Sequence, residues 1–131
     1  MPARWLVDGM NLIGSRPTGW WRDRGGAMGK LVAELERFVD TSGDEVTVVF
    51  DGRPGDDRPA PGGRERGRLW VAFAPGGRDA ADDQIAERVA RLADHDEVRV
   101  VTSDKGLVAR IRDSGVDVVP AGRFRRLLDG T

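Results

Sequence analysis

The sequence predicts an α/β protein, with a mostly parallel central sheet and helices on both faces. Three observations carry this. Segments with strand and helix character alternate along the chain in the order βαββαβαβα. Val46 to Phe50 is a short, unbroken run of β-branched and aromatic residues, the profile of a central strand buried on both faces. Met28, Leu31, Val32, Leu35, Phe38 and Val39 recur at helical spacing, as expected for a helix packed on a sheet.

Each element has its own signal. Arg4 to Asp8 reads as a buried first strand, with a turn beginning at Gly9. The helix from Met28 to Val39 keeps Glu34, Glu36 and Arg37 largely on its outer faces. The strand ending at Phe50 is closed by Asp51-Gly52. From Gly52 to Gly67, Pro54, Pro59 and Pro61 and five glycines are too disruptive for regular structure, so a long loop is expected. Leu69 to Ala74 resumes as a strand stopped by Pro75-Gly76-Gly77. A helix from Ala80 to Ala93, a strand from Val98 to Thr102 and a helix from Lys105 to Asp113 closed by Gly115 follow. The strand Val116 to Val119 and a helix from Ala121 to Leu128 complete the pattern. No internal repeat or low-complexity tail is present.

A length of 131 residues with 39% hydrophobic and 33% charged composition fits one domain, spanning residues 1–131. With no cysteine, disulfides, thiolate zinc sites and a cysteine nucleophile are excluded. The start, Met1-Pro2-Ala3-Arg4-Trp5, leads into a strand pattern with no long apolar run and no cleavage-like segment, so a cytoplasmic location without membrane contact is expected. The net charge of −1 hides a basic middle, with Arg53, Arg58, Arg64, Arg66 and Arg68, and an acidic stretch from Asp79 to Asp96. Of 21 basic residues only Lys30 and Lys105 are lysine, so arginine is the general cation of this chain and no single arginine is diagnostic.

Four segments place an aspartate just past a strand or at the head of a helix: L-V-D-G-M-N-L-I (Leu6 to Ile13), V-T-V-V-F-D-G (Val46 to Gly52), D-A-A-D-D-Q-I (Asp79 to Ile85) and V-V-T-S-D-K-G-L (Val100 to Leu107). In an open parallel sheet the carboxyl ends of the strands line one crevice, so Asp8, Asp51, Asp82 and Asp104 should converge there. Carboxylates without a matching cation repel one another. The cluster therefore points to a hard divalent cation such as Mg²⁺ or Mn²⁺.

Helical geometry separates the candidates on the third segment. With Ile85 centred on the buried face, Asp82 lies about 60° away and looks inward, whereas Asp83 lies about 160° away, on the solvent side with Glu87 and Arg91. Asp79 suits an N-cap, and Ser103-Asp104 could cap the helix starting at Lys105. Asp51-Gly52 could serve turn chemistry alone. Asn11 could hold a metal-bound water or a substrate phosphate, or merely steady the turn after Asp8. Lys30, Arg22, Arg53, Arg64 and Arg66 are candidate contacts for a phosphate backbone. Trp20-Trp21-Arg22 could stack the bases of a single strand, although packing of the two tryptophans before the long helix is the simpler reading. Trp5 and Trp70 read as strand residues, and His95 as a surface helix-end residue.

These motifs, in this order and spacing, resemble the NYN family of the PIN-like nuclease superfamily, most closely its YacP-like branch. The match runs through V-D-G-M-N-L-I, V-V-F-D-G, D-A-A-D-D-Q-I and V-T-S-D-K-G-L, nearly the whole chain, with Ala80 where that branch often has threonine. The resemblance implies a PIN-like three-layer sandwich carrying an Mg²⁺- or Mn²⁺-dependent ribonuclease site. It implies Asp8, Asp82 and Asp104 as catalytic metal ligands, supported by Asn11, Asp51 and Ser103, with Asp79 beside them. RNA is the implied partner, and the sequence is compatible with a homo-oligomer. Two rival readings stand beside this one. One is a non-catalytic RNA-binding or assembly module on the same fold. The other is a phospho-acceptor domain using Asp51, which leaves the D-A-A-D-D helix without a role.

Overall fold

Five parallel strands and one short antiparallel strand form the sheet of the computed structural model, which describes residues 3–16, 18–52, 62–63, 68–77, 79–92 and 97–131. In chain order the elements are β1 (Arg4–Asp8), α1 (Gly9–Ile13), a 3-10 turn (Trp20–Arg22), α2 (Arg24–Ser42), β2 (Glu45–Asp51), β3 (Gly62–Gly63), β4 (Leu69–Ala74) and α3 (Ala80–Leu92). Then come β5 (Val98–Val101), α4 (Lys105–Ile111), a second 3-10 turn (Arg112–Ser114), β6 (Asp117–Val119) and α5 (Ala121–Asp129). The spatial order is β3-β4-β2-β1-β5-β6, with β3 alone antiparallel. Two expectations are corrected. The segment after Asp8 is a helix rather than a turn, and Gly62–Gly63 pairs with Trp70 and Val71 rather than lying wholly in loop.

Strand alternation divides the core in two. Trp5, Val7, Val46, Val48, Phe50, Leu69 and Val71 face α1, α2 and α5. Leu6, Val49, Ala74, Val98 and Val100 face α3 and α4 through Ala81, Ile85, Val89, Leu107 and Ile111. The result is a three-layer sandwich. On the first face Trp5, Phe38 and Phe124 form an aromatic cluster with ring centroids 5.0 to 5.6 Å apart. Asp44 anchors this end of β1 by accepting from the Ala3 N–H at 3.1 Å and the Trp5 indole at 2.9 Å.

The long helix α2 starts where Asp23 accepts the Gly26 N–H at 2.9 Å and ends at Gly43, whose φ of 74° is the left-handed conformation that favours glycine. Topology then sets the site. The chain runs outward from β1 to β2 and β4, crosses back through α3, and resumes at β5 on the other side of β1. The strand order reverses between β1 and β5, which opens a crevice at their carboxyl ends.

Gly9 is the tightest point of that arrangement. A Cβ there would lie 2.5 Å from the buried Phe50 ring and 3.0 Å from the Val49 carbonyl. Gly9→Ala should therefore lower stability by roughly 1 to 3 kcal/mol through overpacking, read as a shift in the denaturation midpoint. An unchanged midpoint would mean that α1 is not held against β2.

Candidate functional site

Alternation puts Asp8 on the face of Leu6 and Asp51 on the face of Val49, so both look toward α3 and α4 at the carboxyl end of the sheet. Asp8 is 5% exposed. Its Oδ2 accepts from the buried Thr102 hydroxyl at 3.0 Å, and the Thr102 oxygen accepts the Asp104 N–H at 3.1 Å. One threonine thus bridges the ends of β1 and β5. Asp104 accepts the Leu107 N–H at 3.0 Å and is the N-cap of α4, as the sequence predicts.

Ser103 does not share that cap. Its N–H donates to the Asn11 side-chain oxygen at 2.8 Å and its hydroxyl accepts from the Ala121 N–H at 2.9 Å, tying the β5–α4 corner to α1 and α5. Asn11 consequently rides on a helix and clamps a corner rather than steadying a turn. Asp79 occupies the N-cap position of α3, with its carbonyl accepting from the Asp83 N–H at 2.9 Å. The side chain that meets an N–H in the first turn of α3 is Asp51, which accepts from Ala81 at 3.3 Å. Asp83 points outward but pairs with Arg110 of α4 at 2.8 Å rather than within its own helix.

Electrostatics links these groups. Burial pushes the Asp8 carboxyl up to about 6, the Asp82 and Asp51 charges add to the rise, and the Thr102 hydroxyl and the nearby Asn11 N–H oppose it. Burial likewise raises Asp82 to about 6, with repulsion from Asp104, Asp79 and Asp51 adding to it and Arg110 opposing. Asp51 is also raised by burial, against the Ala81 N–H and the Arg24 charge, with Asp79 adding to the rise. Asp82 is the hub, since it feels or is felt by Asp8, Asp51, Asp79 and Asp104. The repulsion is a mouth of oxygen donors suited to a hard dication. Among the described residues, no three acidic or histidine side chains close into a finished ligand set.

Three contributors escaped the sequence reading: Thr102, Arg110 and Arg24. Thr102 stands in the quoted V-V-T-S-D motif, where a hydroxyl between a strand end and a capping aspartate is the available signal. Of the basic candidates, Lys30 and Arg22 are exposed on α2 and the first 3-10 turn. Arg53, Arg58, Arg64 and Arg66 lie outside the described residues, as does His95. Trp20 packs on the core while Trp21 is 56% exposed, their rings edge-to-face at 6.0 Å. Trp5 and Trp70 lie in strands as expected. No helix among the described residues is long and apolar enough to cross a membrane.

Solved structures share this fold. The crystal structure of Rae1 (YacP) from Bacillus subtilis as a tryptophan-to-leucine variant aligns with a TM-score of 0.78 at 24% sequence identity, covering 99% of this chain and 76% of that one. A second crystal structure of Rae1 (YacP) from the same organism aligns at 0.74 and 24% identity, covering 96% and 73%. At that identity the likeness concerns the fold. No curated protein matches the chain. The family described as the YacP-like NYN domain matches residues 5–131, that is, every element from β1 to α5. The chain therefore belongs to the YacP-like NYN domain family, a family of PIN-like nucleases.

Proposed function

We propose that this protein is a divalent-metal-dependent ribonuclease whose site is centred on Asp8, Asp82 and Asp104. The observation that carries the reading is the electrostatic hub at Asp82, where carboxylates from β1, β2, α3 and the head of α4 repel one another at a strand-order reversal. The donor chemistry fits Mg²⁺ or Mn²⁺, held by Asp8, Asp82 and Asp104. When bound, such an ion supplies Lewis-acid charge to a phosphate and lowers the pKa of a coordinated water.

The protein's own residues set the geometry. Thr102 donates to Oδ2 of the Asp8 carboxylate, and the nearby Asn11 N–H adds to its hold. Asn11 and Ser103 fix the corner that carries Asp104, so that α1, α4 and α5 present one rigid rim. Asp51 and Asp79 hold the head of α3 and thereby aim Asp82. Arg110, pinned by Asp83, and Arg24, facing Asp51, are cations placed to meet a polyanion at the edge of the acidic mouth. RNA rather than DNA follows from family membership. We assign Lys30 and Arg22, both exposed, as contacts for that RNA's phosphates.

The decisive experiment is cleavage of a labelled RNA and a matched DNA with Mn²⁺, with Mg²⁺ and with EDTA. For Asp82→Asn we expect a loss on the order of a hundredfold or more in RNA cleavage, since charge-stabilising groups supply several kcal/mol. The metal-free variant should melt no lower than the wild type, because the substitution removes a repelled charge. RNA binding without metal-dependent cleavage in either protein would instead favour the binding module.

The raised carboxyls also fix a sign. A folded-state pKa near 6 lies above the ordinary 3.8, so the folded protein binds protons that the unfolded chain does not. Without metal, the Asp8 and Asp82 contribution is fully present below about 3.8 and is lost as pH rises through about 6. Protons and metal compete for the same oxygens. Stabilisation by Mn²⁺ in a thermal shift assay should therefore be large at pH 7.5 and fade below about 6. Equal Mn²⁺ shifts at pH 7.5 and pH 5 would remove both carboxylates from the metal site.

A further inference from the structure

A second polar feature lies behind α1, at the opposite end of that helix from Asp8. It is a cavity of about 50 Å³ lined by Ile13, Arg16, Thr18, Ala27, Lys30 and Arg125. Half of its lining is cationic. Arg125 is only 8% exposed; its Nη1 donates to Glu34 at 2.7 Å, while its Nε–H is buried and meets no acceptor among the described residues. A buried guanidinium donor without an acceptor is rare, because its desolvation goes uncompensated.

The other two cations divide by mobility. Arg16 is paired with Asp129, and neither Asp129 nor Glu34 lines the cavity. Both guanidiniums thus pair with carboxylates that lie outside the cavity's lining. Lys30 is exposed on α2 and forms no ion pair among the described residues, so its ammonium is available to whatever enters. A purely structural role for Arg125, as a tie between α2 and α5, accounts for Nη1 and Glu34. It does not account for the convergence of Arg16, Lys30 and Thr18 with Arg125 on the same small space. A tetrahedral oxyanion would answer these converging cations, since it accepts several donors and matches the guanidinium fork.

We propose that this cavity binds a phosphate group of the RNA, on the far side of α1 from the bond to be cut. The five residues of α1 separate it from Asp8 by roughly 8 Å of helix rise, so both sites can hold one strand. The assignment to RNA rests on the ribonuclease reading; the preference for phosphate does not.

The first test is a ¹⁵N NMR titration of the full chain with inorganic phosphate at constant ionic strength, reading the Arg125 Nε–H resonance. A saturable shift is expected, weakened about tenfold or more by Lys30→Gln, which touches only an exposed side chain. No shift, or the same shift with chloride, would overturn the proposal. The second test measures RNA binding in EDTA, where no cleavage is needed. The doubly substituted Arg16→Gln, Lys30→Gln protein should bind more weakly, with the slope of log K against log salt reduced by about 0.7 for one lost phosphate contact. Binding and slope equal to wild type would overturn the assignment to RNA. Two RNAs of one sequence, with 5′-phosphate and with 5′-hydroxyl ends, separate the sources: a preference for the former identifies a terminal phosphate, and equal loss identifies a backbone phosphate. A phosphate shift in a protein that cleaves no RNA would sink the ribonuclease reading and leave the anion site standing.

Discussion

Burying a carboxylate at the end of the central strand is the constraint to which the rest of this structure answers. Asp8 ends β1, a strand in the middle of the sheet with parallel neighbours on both sides, and there it is almost wholly removed from water. Its rise from 3.8 to about 6 corresponds to a penalty of about 3 kcal/mol on the ionised form relative to an ordinary exposed carboxyl. A site that needs this group ionised must supply compensation. The Thr102 hydroxyl and the Asn11 N–H are the part of it that the protein provides, and a bound cation would supply the remainder.

The other aspartates divide the work. Asp51 and Asp104 each accept a backbone N–H from the first turn of a helix, which ties α3 to β2 and fixes the start of α4. These two carboxylates are structural and electrostatic at once. Asp8 and Asp82 are the pair pushed to about 6, and neither is committed to a helix cap by a side-chain bond. Structural caps thus hold the frame while the least compensated oxygens face its centre.

Much of this was readable before the fold was seen. Strands ending at Asp8 and Asp51 follow from the β-forming residues that precede them, and the inward aim of Asp82 follows from its spacing to Ile85. Convergence of the segments follows from parallel topology alone. The partner choices do not. That Asp51 reaches the head of α3, that Ser103 meets α5 and that Asp83 pairs across to Arg110 all depend on contacts more than fifteen residues apart in sequence. The short helix after Asp8 was missed because D-G reads as turn chemistry, whereas packing of Gly9 against Phe50 and Val49 permits α1 to begin at once. Arg125 looked like one more arginine in a chain full of them; only the docking of α5 on α2 buries it.

The two borders of the sheet bear on how copies of this protein can meet. An unpaired border strand offers a row of backbone donors and acceptors that invites another chain to add on. Among the described residues, one border carries β3, two glycines paired with Trp70 and Val71, and the other is β6, three residues opening with the exposed Asp117. Strands this short give an incoming strand little ladder to zip along, and the acidic side chain discourages a flat approach. Strand addition at the β6 border is therefore disfavoured, because three residues and an acidic side chain give a second copy little to extend the sheet from.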